Sequence, residues 1–261
     1  MILEVSEKLD PFDKVYLGDF EYSTNSLGLP CPQCFVVTEL RSGKTLKIFR
    51  DELLLMNEAP IDVSENALFI AYSASAEMDC FLSLGWKMPH HILDLFIEFR
   101  NRTNGRSNVG KGNQLEALNY FNLSAISSKY KEGMRELAMR GGPYTEDEKV
   151  SLLEYCNEDV VALIRLLPKM IGEISVEHAL LRGDYMKAVS VIKRNGVPID
   201  MMRFEILKNN WSSIQDRLIE EIDKDYGVYD GRSFRSEKWA QWLELKGIAW
   251  PLLESGAVDL E

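Results

Sequence analysis

The chain has 261 residues, of which 46% are apolar, and it carries a formal net charge of −11 at pH 7. This composition suits a soluble globular protein with one α/β core and a smaller helical unit. It excludes a membrane protein, because no segment approaches the roughly 20 apolar residues of a membrane helix. Acids at Glu4 and Glu7 exclude a secretory signal, so we expect a cytoplasmic location. The negative charge predicts weak nucleic-acid binding by this chain alone, since phosphate neutralisation normally supplies much of that affinity.

Several segments of strand character lie in the first part of the chain. They are residues 15–21, 35–40, 45–49, 68–72 and 92–95. Turns that contain Gly or Pro separate the first three, which predicts an antiparallel meander. Helical segments alternate with the last two, as they do between parallel strands. We therefore predict an α/β fold with a mixed five-stranded sheet flanked by helices, followed by a small all-helical segment.

Two acids, Asp19 and Glu21, stand one residue apart at the end of the first strand segment. Successive side chains of a strand point to opposite faces, so these two carboxylates share one face. Two negative charges this close repel each other unless a cation lies between them, and hard divalent cations prefer such oxygen ligands. The segment therefore predicts half of a metal site.

A second acidic segment follows the fourth strand. Ser75 is a suitable N-cap for the next helix, which would place Glu77 and Asp79 in the first helical turn, where negative charge is favourable. Helix capping alone would account for both acids. Other acidic segments before and after this one favour a metal-ligand role.

A third acid lies on a long helical segment. Apolar residues recur at helical spacing between positions 150 and 167, and within this run Tyr155 and Asp159 are four residues apart. That spacing places both side chains on one helix face. A carboxylate and a phenol could therefore join the two acids of the first strand.

These three segments resemble, in order and context, the three motifs of the DEDD superfamily of 3′→5′ exonucleases. The matching residues are Asp19-x-Glu21, the acid at Glu77 and Tyr155-x-x-x-Asp159, which indicate the subgroup with a tyrosine in the third motif. The resemblance implies a ribonuclease-H-like fold. It also implies phosphodiester hydrolysis as the activity.

The second motif departs from the usual pattern of a single Asp preceded by an Asn. This chain has Ser73 at the Asn position and two acids to choose from. The distance from Glu77 to Gly85 fits the spacing of the family, whereas Asp79 lies too close to that glycine. Glu77 is therefore the favoured ligand and Asp79 the alternative.

The resemblance further implies the chemistry of the site. Two Mg²⁺ or Mn²⁺ ions would hydrolyse the terminal phosphodiester, one activating water and one stabilising the leaving 3′ oxygen. Asp19 would bridge both ions. Glu21 and Asp159 would complete the water-side ion, and Glu77 would support the second. Tyr155, with an ordinary phenol pKa of about 10, is a poor general base and would hydrogen-bond the attacking water.

Segments beyond the motifs look like the passage from exonuclease to polymerase in a phage-like or mobile-element branch of family A DNA polymerases. They are residues 133–144, 180–186 and 195–200. The resemblance implies an exonuclease domain over residues 1–172 and a helical segment over residues 173–261 that corresponds to the start of a polymerase thumb. It implies a single-stranded DNA 3′ end as substrate, a proofreading role, and a polymerase domain in the same longer chain. This chain would then be an N-terminal fragment or a protein that kept only the nuclease end.

Other features stay outside the predicted site. Cys31 and Cys34 form a Cys-x-x-Cys pair without a second pair or a nearby His, so we favour free thiols over zinc. Asp94 matches a frequent acid of the family, but it could equally cap the helix that follows.

Residues 102–112 predict a loop. In the helical segment, Asp200 is a suitable N-cap for a helix that Gly227 ends.

Three functions remain open at this point. The first is a DNA 3′→5′ exonuclease, and the second is a ribonuclease-D-like RNA trimmer that uses the same site. The third is an inactive exonuclease fold that serves as a scaffold, because the second motif is substituted. The polymerase-like segments favour DNA.

Overall fold

One mixed sheet organises the first part of the chain. The computed structural model describes residues 7–260 except 105, 107, 108 and 125–127, and the strands of this sheet are β1 Lys14–Thr24, β2 Pro30–Glu39, β3 Thr45–Phe49, β4 Ala67–Ala71 and β5 His91–Asp94. Their order is β3-β2-β1-β4-β5, with β1, β2 and β3 antiparallel and β1, β4 and β5 parallel. The predicted mixed five-stranded sheet is confirmed, in a ribonuclease-H-like topology.

Helices cover both faces of this sheet. They are α1 Arg50–Leu53, α2 Ala74–Ser83, α3 Leu95–Thr103, α4 Gln114–Tyr120, α5 Ser128–Arg140, α6 Glu146–Met170 and α7 Val176–Asn195. One face packs against α6, with Leu17 and Leu163 in the shared core. The opposite face packs against α2, with Phe20 and Phe81 in a second core. Because strand side chains alternate, the odd-numbered residues at the end of β1 lie on the α6 side.

The long helix α6 starts with a capping box. The Thr145 hydroxyl accepts a hydrogen bond from the backbone N–H of Glu148, whose carboxylate accepts one from the backbone N–H of Thr145. The helix passes through Pro168 and ends at Met170, ahead of Gly172. This length carries the helix across β1 and β2, so its inward face reaches the acids of β1.

Helix α7 is closely packed on the sheet. A Cβ at Gly183 would lie 2.1 Å from the carbonyl oxygen of Ile92 on β5, so this close approach requires glycine. On α3, the buried carboxylate of Glu98 accepts hydrogen bonds of 2.6 and 2.7 Å from Arg182. The first compact unit, Met1–Gly196, therefore includes α7 and extends past residue 172.

The second compact unit, Val197–Glu261, is mainly helical. It contains α8 Met201–Tyr226, a short hairpin of β6 Tyr229–Asp230 and β7 Ser233–Phe234, and α9 Ser236–Lys246. The Asp200 side chain caps the start of α8, and Gly227 adopts the left-handed conformation at its end, which confirms both predicted helix ends. Trp239 and Trp242 stack within this unit with ring centroids 5.1 Å apart.

The predicted start of α2 is wrong. The N-cap is Ser73, in the left-handed conformation with φ 72°, and Ser75 lies inside the helix. The cause is Asp94, whose carboxylate accepts hydrogen bonds from the backbone N–H groups of Ser73 and Ala74 at 3.0 and 2.9 Å. The helix consequently begins two residues earlier, so Glu77 is in the first turn and Asp79 is beyond it.

Two predictions fall partly outside the described residues. Glu4, which argued against a secretory signal, precedes residue 7, and the loop predicted over residues 102–112 includes positions 105, 107 and 108. Within the described residues, no helix is both long enough and apolar enough to cross a membrane.

Candidate metal centre

Three carboxylates meet where β1 passes under α6. Asp19 and Glu21 come from the α6-facing side of β1, and Asp159 comes from α6. One oxygen of each lies within 4.8 Å of the others, and no other set of three or more acids, cysteines or histidines comes as close in the part of the chain that the structure describes. The alternation of β1 and the packing of α6 thus bring together three of the predicted ligands.

Glu77 approaches this group from α2. Its side chain is 3% exposed and accepts a hydrogen bond from the backbone N–H of Phe20, between the two acids of β1. Burial raises the pKa of Glu77 well above its ordinary value, and the negative charges of Asp19 and Glu21 raise it further. Its Oε2 is buried without a hydrogen-bond partner among the described residues. An unpaired buried oxygen beside two other carboxylates fits a ligand of a cation.

Asp79 lies in a different environment. Its Oδ2 accepts a hydrogen bond of 2.5 Å from the Lys193 ammonium on α7, whereas its Oδ1, like Glu77 Oε2, is buried without a hydrogen-bond partner among the described residues. This ion pair joins α2 to α7. The Glu77 carboxyl lies close enough to Asp19 and Glu21 for their charges to raise its pKa, and it accepts the hydrogen bond from the backbone N–H of Phe20. The geometry therefore favours Glu77 over Asp79 as the acid of the second motif, an assignment that stays a prediction.

The carboxylates of β1 are strongly perturbed. Burial raises the pKa of Asp19 well above its ordinary value, and Asp159 raises it further, whereas the Lys131 ammonium and a hydrogen bond from Cys156 oppose the rise. Burial also raises the pKa of Glu21, and the charge of Asp19 adds to it. Crowded carboxylates favour protonation unless a cation offsets their repulsion. An all-oxygen set of this kind fits Mg²⁺ or Mn²⁺.

Tyr155 lies on the same face of α6 as Asp159 and is 3% exposed. Burial raises the pKa of its phenol far above the ordinary value, and the charges of Asp159, Glu21 and Asp19 raise it further. The phenol also hydrogen-bonds the Asp159 carboxylate. Tyr155 is therefore protonated at neutral pH, so it can donate a hydrogen bond and cannot serve as a base.

Lys131 and Gln114 also belong to this site, although no motif in the sequence marks them. The Lys131 ammonium donates to Asp159 Oδ1 at 2.8 Å and to Gln114 Oε1 at 2.9 Å. The Gln114 amide in turn donates to the backbone carbonyl of Asp159 at 3.1 Å. The one feature of the sequence that could have indicated Lys131 is its spacing of four residues from Arg135, which places two cations on one face of α5.

Two cysteines lie beside the carboxylates, and Cys156 also donates to Asp19 Oδ2 at 3.6 Å. Cys156 Sγ donates to the backbone carbonyl of Asp19 at 3.1 Å, and Cys34 is fully buried beneath α6. Cys31 is partly exposed, and both members of the Cys-x-x-Cys pair are free thiols. Asp94 remains outside the site: it is the N-cap of α3, accepting from the backbone N–H groups of Phe96 and Ile97.

No protein-family model matches this chain, and no curated protein matches it either. Among solved structures it is similar to one described as the apo form of a nuclease, with TM-score 0.47 and 15% identity over 75% of this chain and 93% of that one.

Two RNase D structures are also similar to this chain. That of Escherichia coli, described as an exoribonuclease involved in structured RNA processing, has TM-score 0.45 and 13% identity over 80% of this chain and 52% of its own. That of Trypanosoma brucei has TM-score 0.45 and 14% identity over 99% of this chain and 84% of its own. These similarities concern the fold, and the chain spans about half the length of the E. coli protein.

Proposed function

We propose that the chain is a two-metal-ion 3′→5′ exonuclease that removes nucleotides from the 3′ end of DNA. The observation that carries the proposal is the meeting of Asp19, Glu21 and Asp159 within 4.8 Å, with the unpaired Oε2 of Glu77 beside them. Carboxylates at this density bind divalent cations, which in two-metal nucleases activate water and stabilise the leaving oxygen.

Each side chain has a role that follows from its position. Asp19 interacts with both Glu21 and Asp159, which suits a ligand shared by two ions. Glu77 approaches from α2, on the opposite side of the sheet from α6, and suits a ligand of the second ion. Tyr155 keeps its proton and can therefore orient a water molecule through its hydroxyl.

DNA as the substrate rests on the resemblance of residues 133–144, 180–186 and 195–200 to family A polymerases. On the same basis we assign the exonuclease to residues 1–172 and the start of a polymerase thumb to residues 173–261. A proofreading role beside a polymerase domain follows from that assignment. The cytoplasmic location that we propose rests on the acids near the N-terminus, Glu4 and Glu7.

The test is a digestion of a 5′-labelled single strand with Mg²⁺ or Mn²⁺. We expect products that shorten stepwise from the 3′ end, and we expect Asp19→Ala to abolish them. Glu154→Ala, which removes an exposed acid from helix α6, is the control and should keep full activity. Activity that persists in Asp19→Ala would contradict the site.

The same assay separates the alternatives. Faster shortening of an RNA strand of matched sequence would indicate a ribonuclease-D-like trimmer. Tight Mn²⁺ binding without degradation of either strand would indicate an inactive scaffold.

A further inference from the structure

The proposed substrate must approach a strongly negative surface. The chain has a net charge of −11, and Asp19, Glu21, Glu77 and Asp159 concentrate negative charge at the proposed site. A nucleic-acid strand is held mainly through cations that neutralise its phosphates. If the proposed function holds, side-chain cations should therefore lie beside the carboxylates.

Lys131 on α5 is such a cation. Its ammonium lies 2.8 Å from Asp159 Oδ1, and its side chain is 25% exposed. An ammonium has three donors, and the structure gives Lys131 two acceptors, on Asp159 and Gln114. One donor therefore remains for a further acceptor from the solvent side.

Arg135 extends this face by one helical turn. It is exposed, and no carboxylate pairs with it among the described residues. It lies near Tyr22, the residue that follows Glu21 on β1. Burial raises the pKa of Tyr22 to about 12, and the positive charge of Arg135 opposes that rise. Four residues along a helix correspond to a rise of about 6 Å, which suits neighbouring phosphates of an extended strand.

Many other cations of this unit are committed to carboxylates. Ion pairs hold Arg102 with Glu173, Arg140 with Glu148, Lys149 with Glu146, Arg182 with Glu98 and Lys193 with Asp79. Arg135 has no such partner in the described part of the chain, and Lys131 has a donor to spare. Both cations can therefore still bind an anion, Lys131 in addition to its pair with Asp159.

We propose that Lys131 and Arg135 form a phosphate-binding face on α5 that holds the nucleic-acid strand with its end at the carboxylates. This inference rests on the proposed function for the location of the strand end. The ligand is the phosphodiester backbone, which DNA and RNA share.

The test measures strand binding separately from cleavage. The probe is a fluorescein-labelled 15-nucleotide oligo-dT, with oligo-U in parallel, bound in Ca²⁺ buffer and followed by anisotropy over a range of NaCl concentrations. For single strands the slope of log K against log salt becomes shallower by about 0.7 for each phosphate that the protein no longer neutralises. We expect that decrease for Lys131→Ala and for Arg135→Ala, and a decrease of about 1.4 for the double variant.

Controls separate charge from structure. Lys129→Ala removes an exposed cation from the same helix on a different face and should leave the slope unchanged. Lys131→Arg should restore the slope. Mn²⁺ affinity, measured by calorimetry, should be kept or increased in Lys131→Ala, because a positive charge beside Asp159 is removed.

The outcomes distinguish the two proposals. Unchanged slopes in Lys131→Ala and Arg135→Ala, or no strand binding by the wild type, would overturn the phosphate-binding face. Slopes that change as expected in a protein that does not shorten either strand would overturn the exonuclease activity and leave the phosphate-binding face in place.

Discussion

Replacing Asp19 by Asn should stabilise the metal-free protein while abolishing its activity. One carboxylate oxygen each of Asp19, Glu21 and Asp159 lies within 4.8 Å of the others, and at that limit two unit charges repel each other by about 3.5 kcal/mol at an effective dielectric constant of about 20. The substitution relieves this repulsion with both Glu21 and Asp159. Protonation already relieves part of it, and the attraction of Lys131 for Asp19 disappears. We therefore expect a net gain of about 2 kcal/mol, which raises Tm by about 4–8 °C for a unit of this size.

The pH dependence of this gain has a definite sign. Asp19, Glu21 and Glu77 have pKa values raised above those of the unfolded chain, so the folded protein binds more protons. Stability must then fall as pH rises from the ordinary carboxylate range through the raised values. The gain from Asp19→Asn should consequently be larger at about pH 7.5 than at about pH 4.5.

The assay is thermal unfolding in EDTA at both pH values. The control is Glu154→Gln, which removes one negative charge from an exposed position on α6. Saturating Mn²⁺ should raise the Tm of the wild type by more than that of Asp19→Asn, because binding to the folded state alone is stabilising. A lower Tm for Asp19→Asn in EDTA at the higher pH would refute the reasoning.

Other substitutions test single interactions. Tyr155→Phe should lower kcat by about 10²-fold with Mn²⁺ affinity unchanged, since it removes one hydroxyl donor; full activity would contradict its role. Glu77→Gln should weaken Mn²⁺ binding in calorimetry more than Asp79→Asn does, and the reverse order would show that Asp79 serves the second motif. Gly183→Ala should destabilise the protein by about 1–3 kcal/mol, because its Cβ would clash with the carbonyl oxygen on β5. Gly133→Ala, with open space around its Cβ, should be neutral or stabilising, and urea titrations of both variants measure the difference.

The parts of the site that local periodicity determines could be predicted from the sequence. Alternation along β1 was enough to place Asp19 and Glu21 on one face, and the spacing of four residues on α6 was enough for Tyr155 and Asp159. The structure brings three of these carboxylates within 4.8 Å. What local periodicity cannot supply is the distance between β1 and α6, which depends on the packed core between them.

The parts that depend on interactions between distant residues could not be predicted. The start of α2 at Ser73 is set by Asp94, which lies 21 residues further along the chain. Lys131 reaches Asp159 across 28 residues, and no motif marks it. The close packing of α7 on β5 requires glycine at position 183, which looks like any other helical glycine until this close approach is known.

The perturbed carboxylates connect stability with the proposed chemistry. A fold that buries repelling acids beside one ammonium is less stable at neutral pH than one with neutral side chains there. The same arrangement raises the affinity for cations, since each bound ion relieves the repulsion and no side chain has to be reorganised to meet it. Lys131 offsets too little of the charge to replace a divalent cation. The pKa values of Asp19 and Glu21 remain raised although its ammonium opposes the rise, and burial and the charges of those two acids raise the pKa of Glu77 as well. The destabilisation expected without metal and the metal affinity expected of the site therefore have one physical cause.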